Sequence, residues 1–290
     1  MPNSKRAQSR NVILTGPPRS GTTLTCHLLN KVPNVVALHE PVQLHEMFGL
    51  DNDQIVAYLD GWFVETRHGI EQTGSAPSKV ENGKVPDNPF GGFDADGKRR
   101  IDRVSRGMLD IGKPLADDFL LAIKHPAAFT SLLPLLVRHW SCFAVIRNPL
   151  GTAMSWNSLE QLDMGRGRLP MAEAFDPGFR EALDSMSTAL DRQLYMVDWC
   201  FERYATFLPP QQIIRYESII ETGGAALGVI DPAADALCEP LSSKNTNSLY
   251  NPDIVSELAV RMIARGGAWE AFYSAKDIAE TAAQILATAS

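Results

Sequence analysis

NVILTGPPRSGTT, Asn11 to Thr23, begins with a short apolar run, Val12 to Thr15, of the kind that forms a buried strand. Gly16, two prolines, Arg19, Ser20 and Gly21 follow, and Thr22 and Thr23 then lead into Leu24, Leu28 and Leu29 at helical spacing. Strand, glycine-bounded loop and helix, in that order, make a cradle for an anion. The loop's N–H groups converge, and the positive end of the helix stands behind them. The spacing from Gly16 to Gly21 matches the G-x-x-x-x-G-K-[ST] template, except that Thr22 stands where the template has lysine and a cation appears inside the loop at Arg19. Without that lysine the loop lacks the group that bridges the β- and γ-phosphates of a nucleoside triphosphate. The expectation is a phosphate cradle not built for ATP or GTP.

Outward from the cradle, apolar runs at Val35 to Leu38, Phe119 to Lys124, Cys142 to Arg147 and Gln212 to Arg215 read as further strands. Helical stretches separate them: Ala127 to His139, then a helix opened by Asn148-Pro149 that carries Ser155, Trp156 and Leu159. Strands alternating with helices predict one α/β domain over residues 1–290, a P-loop-type parallel β-sheet flanked by helices on both faces. Ligands of such sheets sit beyond the carboxyl ends of the strands. That places His39-Glu40, Lys124, Arg147 and Arg215-Tyr216-Glu217 at the chemical edge. A phosphoryl-transfer enzyme needs a strand-end aspartate there to hold Mg²⁺. This edge carries cations instead, which points to a highly anionic nucleotide bound without a metal. His39, Glu40, His45 and Glu46 lie close together, but their spacing is not H-E-x-x-H and Pro41 breaks the helix that motif requires, so no metal site is expected.

The 290 residues carry a net charge of −7 and are 44% hydrophobic, enough for a sizeable core and unsuited to a general nucleic-acid or anionic-membrane surface. Cys26, Cys142, Cys200 and Cys238 are far apart, with no C-x-x-C pair, and read as reduced thiols of a cytoplasmic protein. The polar lead MPNSKRAQSR and the short apolar run after it do not read as a signal peptide or membrane span. Residues 42–65 look helical. Residues 66–117, rich in Gly, Pro, Asp and Lys, read as an irregular substrate-side lid, with 160–180 as its partner segment. In the lid, Arg99, Arg100, Arg103 and Arg106 read as a solvated charged face, with an anion-holding role as the alternative. A long helix is expected from about Arg180 to Phe207, a polar loop with Lys244 over 241–252, and closing helices from about Pro252 to Arg265 and Ala275 to Ala287.

The motifs PPRSGTTL (17–24), HEP (39–41), IKHP (123–126), VIRNPLGTAMS (145–155) and RYESI (215–219) resemble those of the sulfotransferases that use 3′-phosphoadenosine 5′-phosphosulfate (PAPS). The resemblance covers most of the chain and is closest in style to the bacterial small-molecule and tyrosylprotein branches. The arginine-lysine-glycine loop of the cytosolic steroid and phenol branch is missing. The resemblance implies that Arg19, Ser20, Gly21, Thr22 and Thr23 cradle the 5′-phosphosulfate and that Arg147 and Ser155 bind the 3′-phosphate. It implies a further 3′-phosphate contact at Tyr216 and a loop contact at Lys244. It also implies sulfonate transfer to a hydroxyl, with Lys124 steadying the transferring group, Arg19 steadying the leaving phosphate of the product PAP, and no metal.

For the base, Glu40 stands where related branches carry a catalytic glutamate, while His39 has an ordinary pKa that suits the task untuned. The acceptor is expected to be a small molecule. Trp62, Phe63, Phe90, Phe93, Trp156 and Met164 suggest an apolar or aromatic one, and the loop arginines leave an anionic or sugar acceptor open. Two other classes fit parts of the pattern: a degenerate P-loop kinase or NTPase, which would need Mg²⁺ and ATP, and a nucleotide-binding protein without catalysis.

Overall fold

In the computed structural model, which describes residues 10–93, 100–159, 161–247 and 249–289, a five-stranded parallel sheet forms the centre. Its strands are β1 (Asn11–Thr15), β2 (Val35–His39), β7 (Leu120–Lys124), β8 (Ser141–Ile146) and β9 (Ile213–Arg215), in the order β2-β7-β1-β8-β9. β1 is flanked on both sides, with Ile13 opposite Ile123 of β7 and Cys142 of β8. These strands are apolar runs rather than alternating patterns because both sheet faces are covered. From β1 the chain moves outward to β2 through helix α1 (Thr22–Leu29), whereas it crosses from β7 over β1 to β8 in the other direction. Right-handed crossovers in opposite directions put helices on opposite faces and open a crevice beside β1.

Helix α2 (Asn52–Thr73) starts at a capping box in which Asp51 accepts from the Gln54 N–H and Gln54 returns a bond to Asp51 N–H. It is tied to the sheet's opposite end by a buried arginine. Arg67 donates from Nε and Nη2 to Asn11 Oδ1 at 2.9 and 2.7 Å, and from Nη1 to the Phe119 carbonyl at 2.9 Å.

Residues 66–117 are not the irregular segment the sequence suggests. α2 runs on to Thr73, and strands β3 (Ser75–Val80) and β6 (Ser105–Asp110) then pair antiparallel, from Ser75↔Asp110 to Val80↔Ser105. A smaller ladder joins β4 (Phe90–Phe93) and β5 (Arg100–Asp102). Proline, glycine and charge hid these strands. Each strand of a two-stranded ladder has one edge outside the pairing, where a proline such as Pro77 is tolerated. Arg99, the side chains of Phe93 and Arg100, Glu160 and most of the N-terminal lead lie outside the described residues.

The second expected lid segment instead holds short helices, Pro170–Glu173 and Pro177–Asp184, and its Arg168 pairs with Glu173 and Asp184. The long helix expected from Arg180 is split, because Thr188 caps a new start for α3 (Ala189–Phe207). The stretch Ala127 to His139 is likewise two short helices, Pro126–Ser131 and Leu133–Leu136.

Arg67→Met should remove both guanidinium donors from buried Asn11 Oδ1 and lower the unfolding free energy by about 1–3 kcal/mol. Urea denaturation followed by circular dichroism would measure it, and an unchanged midpoint would contradict this account.

Candidate functional site

The carboxyl ends of β1, β2, β7 and β8 open onto a cleft of about 350 Å³, with Arg19, Glu40, Lys79, Lys124, Arg147 and Tyr216 among its lining. At its floor lies Glu40. Its φ is +48°, a left-handed conformation that a non-glycine residue adopts only under constraint. The constraint is the bond its N–H donates to the Lys124 carbonyl at 2.8 Å, one step past the β2–β7 ladder.

The Glu40 carboxylate then meets two ammonium groups: Lys124 Nζ at 2.9 Å from Oε1 and Lys79 Nζ at 2.6 Å from Oε2. His39 Nε2 lies 3.4 Å from Oε1. Burial works to raise the Glu40 pKa, but Lys124, His39 and Lys79 together hold the carboxyl well below the usual carboxylate range. Lys124, itself buried, also reaches Thr23 Oγ1 at 3.5 Å, so one cation spans from the carboxylate to the start of α1.

His39 is 2% exposed and, among the described residues, its buried Nδ1 has no hydrogen-bond partner. Burial, with Lys124 nearby, pushes its pKa down to about 4. His125, whose Nε2 accepts from Val42 N–H at 3.1 Å, is pushed down to about 3, again chiefly by burial.

The loop after β1 is bound to β8. Ser20 Oγ donates to the Val145 carbonyl at 2.6 Å, and Ser20 N–H turns back to the Pro17 carbonyl at 3.1 Å. Both Ser20 groups therefore serve the loop's own shape. Trp156 Nε1 donates to the Pro18 carbonyl at 2.7 Å, so this tryptophan is buried beneath the loop. Gly21, at φ +97°, has no room for a side chain, since a Cβ would stand 2.6 Å from the Tyr216 ring. α1 begins directly after it, at Thr22, and its first-turn N–H groups have no intrahelical partner.

Arg19, at φ +73°, stacks over Phe90 at 4.8 Å, donates to Asn88 Oδ1 at 3.4 Å and donates from Nε to Ser155 Oγ at 3.4 Å.

Arg147 is 4% exposed. Its Nε donates to Asn245 Oδ1 at 2.6 Å, Nη1 to the Arg19 carbonyl at 3.2 Å and Nη2 to the Lys244 carbonyl. Its guanidinium also lies over the Tyr216 ring, whose hydroxyl accepts from Lys244 N–H at 2.9 Å. Asn245 Nδ2 donates to Glu217 Oε1, which also accepts from Asn148 N–H, and Glu217 Oε2 accepts from Tyr273. Lys244 Nζ donates to Ser242 Oγ on the exposed loop.

Most residues singled out in the sequence line the cleft, but buried Ser20 and Ser155 are not on its lining. Arg215 stacks on Tyr273, 4.2 Å from its ring, and does not line the cleft. Arg103 is paired with Glu81 and Asp87. Of the acceptor-side residues expected, Phe90 and Met164 line the cleft, whereas Phe63 is core and Trp62 packs edge-on against it. Lys79, Asn88 and Asn245 escaped sequence reading. Each is a common polar residue in a stretch without periodicity, and only the pairing of the arm and the loop's return bring them in.

No family model matches the sequence, and no curated protein is similar enough in sequence to match. Among solved structures the chain is similar to a sulfotransferase from Alicyclobacillus acidocaldarius, with 13% identity over 90% of this chain and 94% of that one and a TM-score of 0.45. It is similar to the sulfotransferase domain of the Synechococcus PCC 7002 olefin synthase, with 14% identity, 94% and 93% coverage and a TM-score of 0.35. Sulfotransferase STF9 from Mycobacterium avium gives 15% identity, 97% and 76% coverage and a TM-score of 0.36. Identities this low and superpositions this loose leave the site's chemistry to its own residues.

Both buried histidines have folded pKa values below the ordinary 6.5, so the unfolded chain binds protons first as pH falls. Stability should decline from about pH 6.5 down towards pH 4. Thermal midpoints at pH 7 and pH 5 measure it, and the difference should shrink in His125→Gln.

Proposed function

We propose that this chain is a sulfotransferase that moves the sulfonate of PAPS onto the hydroxyl of a small-molecule acceptor. The observation that carries the reading is Lys124, whose single ammonium touches both the Glu40 carboxylate and Thr23 of the phosphate loop. A proton acceptor, a cation and an anion cradle therefore meet at one point. The motif resemblance and the α/β architecture support the same conclusion.

In this reading the donor supplies an activated sulfonate, and the residues supply its surroundings. Gly21, Thr22 and Thr23 offer N–H groups and the start of α1 to the 5′ end. Arg147 and Ser155, with Tyr216 beneath the guanidinium, offer the 3′-phosphate a planar donor set. Lys244 and Ser20 complete the expected contact set, Ser20 by shaping the loop. For Arg147 to engage a phosphate, its bond to the Lys244 carbonyl must give way, so the loop carrying Lys244 moves as nucleotide binds.

Glu40 takes the acceptor's proton as the acceptor oxygen forms its bond to sulfur and the sulfur–phosphate oxygen bond breaks. Lys124 and Arg19 meet the negative charge on the transferring sulfonate and the leaving phosphate of PAP. A carboxylate held between two lysines is a poor base at rest. It gains basicity when Lys124 turns towards the donor, because the cation that depresses its pKa is then shared. Glu40 is assigned this role over His39 because His39 keeps Nδ1 buried and turns Nε2 to Glu40.

Fixed cations do the work that Mg²⁺ does in a kinase, so transfer should be insensitive to EDTA. Buried, unpaired Cys26, Cys142 and Cys200 fit a reducing compartment such as the cytoplasm.

Labelled PAPS incubated with a panel of alcohols, phenols and sugars tests the reading. Label transfer unaffected by EDTA supports it, and ATP- and Mg²⁺-dependent transfer instead would overturn it. With an acceptor in hand, Glu40→Gln should lower kcat by about 10²–10⁴-fold and leave PAP affinity nearly unchanged. Arg147→Lys should reduce the ratio of PAP to AMP affinity by about 10-fold or more, measured by calorimetry, because a point charge replaces a planar fork at the 3′-phosphate.

A further inference from the structure

We propose that Lys79 is a positioning residue for the Glu40 carboxylate, delivered by the β3–β6 arm and setting how tightly that carboxylate holds a proton. This rests on reading Glu40 as the base.

The two lysines on Glu40 are not equivalent. Lys124 ends a central strand, is 2% exposed, contacts Thr23 and holds Oε1 from the nucleotide side. Lys79 holds Oε2 from the arm, and its side chain is 34% exposed on the wall that also carries Asn88, Phe90 and Val104. Its 2.6 Å approach is the shorter of the two. When Lys124 turns to the transferring group, Lys79 is the cation left on Glu40.

The arm is seated to do this. Ser78 Oγ accepts from His39 N–H at 2.9 Å, on the outer edge of edge strand β2. Lys79 is the next residue along. Its cross-strand partner Arg106 donates from Nη1 to the Pro41 carbonyl at 3.5 Å, so the two cations of one β-pair bracket Glu40-Pro41. The remaining titratable or charged groups around the carboxylate are His39 on β2, Lys124 and His125 at the end of β7, Arg106 on β6 and Cys26 on α1. Cys26 is buried with its thiol pushed up to about 12, chiefly by burial, and His39 and His125 stay neutral near pH 7. Among the described residues, Lys79 is therefore the arm cation in direct contact with the base.

The sign follows. Removing a cation from a carboxylate raises its pKa. Glu40 should then titrate about one pH unit higher in Lys79→Met, a tenfold gain in proton affinity, with Lys79→Arg staying near the parent value. Protein labelled with ¹³C at glutamate Cδ reads this directly, with the Glu40 signal assigned by its loss in Glu40→Gln. Lys79 is part-exposed, so Lys79→Met should fold; matched thermal melting and PAP affinity check it, with Lys79→Gln as a second neutral variant.

An upward shift in both neutral variants, rescued by arginine, supports the proposal. An unmoved Glu40 titration in folded Lys79→Met overturns it. Acceptor turnover, once available, should show its acid limb moving by the same amount. Sulfonate transfer that fails while the titration shift stands removes the functional reading and leaves the ion pair. A missing shift with transfer intact removes only the role of Lys79.

Discussion

Parallel strands all end on the same edge, and in this protein that edge gathers Lys124, Arg147 and Arg19 around a cleft, with Lys79 added from the arm. Like charges in a partly dry site repel unless something answers them. Glu40 answers two of them, through a carboxylate with one ammonium on each oxygen. Carbonyls answer the third, as Arg147 donates to the backbone of Arg19 and Lys244. The left-handed backbone at Glu40 is the local cost of putting a carboxylate there, and the bond from its N–H to the Lys124 carbonyl holds it.

This arrangement links the two halves of the proposed chemistry. On one side Lys124 connects Glu40, the proposed base, to Thr23 of the loop after β1. On the other, Arg147 is set by a chain of side-chain bonds running through Asn245 and Glu217 to Tyr273 near the C-terminus. A buried guanidinium proposed to meet a phosphate must be held in orientation before the ligand arrives, and each member of this chain has its partner fixed by another element. Tyr216 serves both sides of the cleft. Its ring leaves room only for glycine at position 21 and lies under Arg147, while its hydroxyl receives the loop amide of Lys244.

The arm built from β3 and β6 has a double role in this picture. It walls one side of the cleft, and through Ser78 and Lys79 it is bonded to the end of β2 and to Glu40. An element that reads in sequence as an irregular lid is thus in hydrogen-bond contact with the two residues, His39 and Glu40, weighed as the base.

Sequence alone determined the sheet and its edge. The apolar runs ending at Thr15, His39, Lys124 and Ile146 could only be buried strands, because so many consecutive β-branched and aliphatic side chains need cover on both faces. Gly16 and Gly21, with the threonines after them, fixed the loop and the start of α1, since backbone conformation there depends on a few local residues. Tertiary structure alone decided what those residues meet. That Ser20 turns into β8, that Arg215 faces Tyr273 rather than the cleft, and that Lys79 reaches Glu40 across 39 positions of chain depend on contacts between distant segments. Local propensity carries no signal for such contacts, and in the arm it pointed the other way, because proline and glycine are tolerated on the edges of a two-stranded ladder.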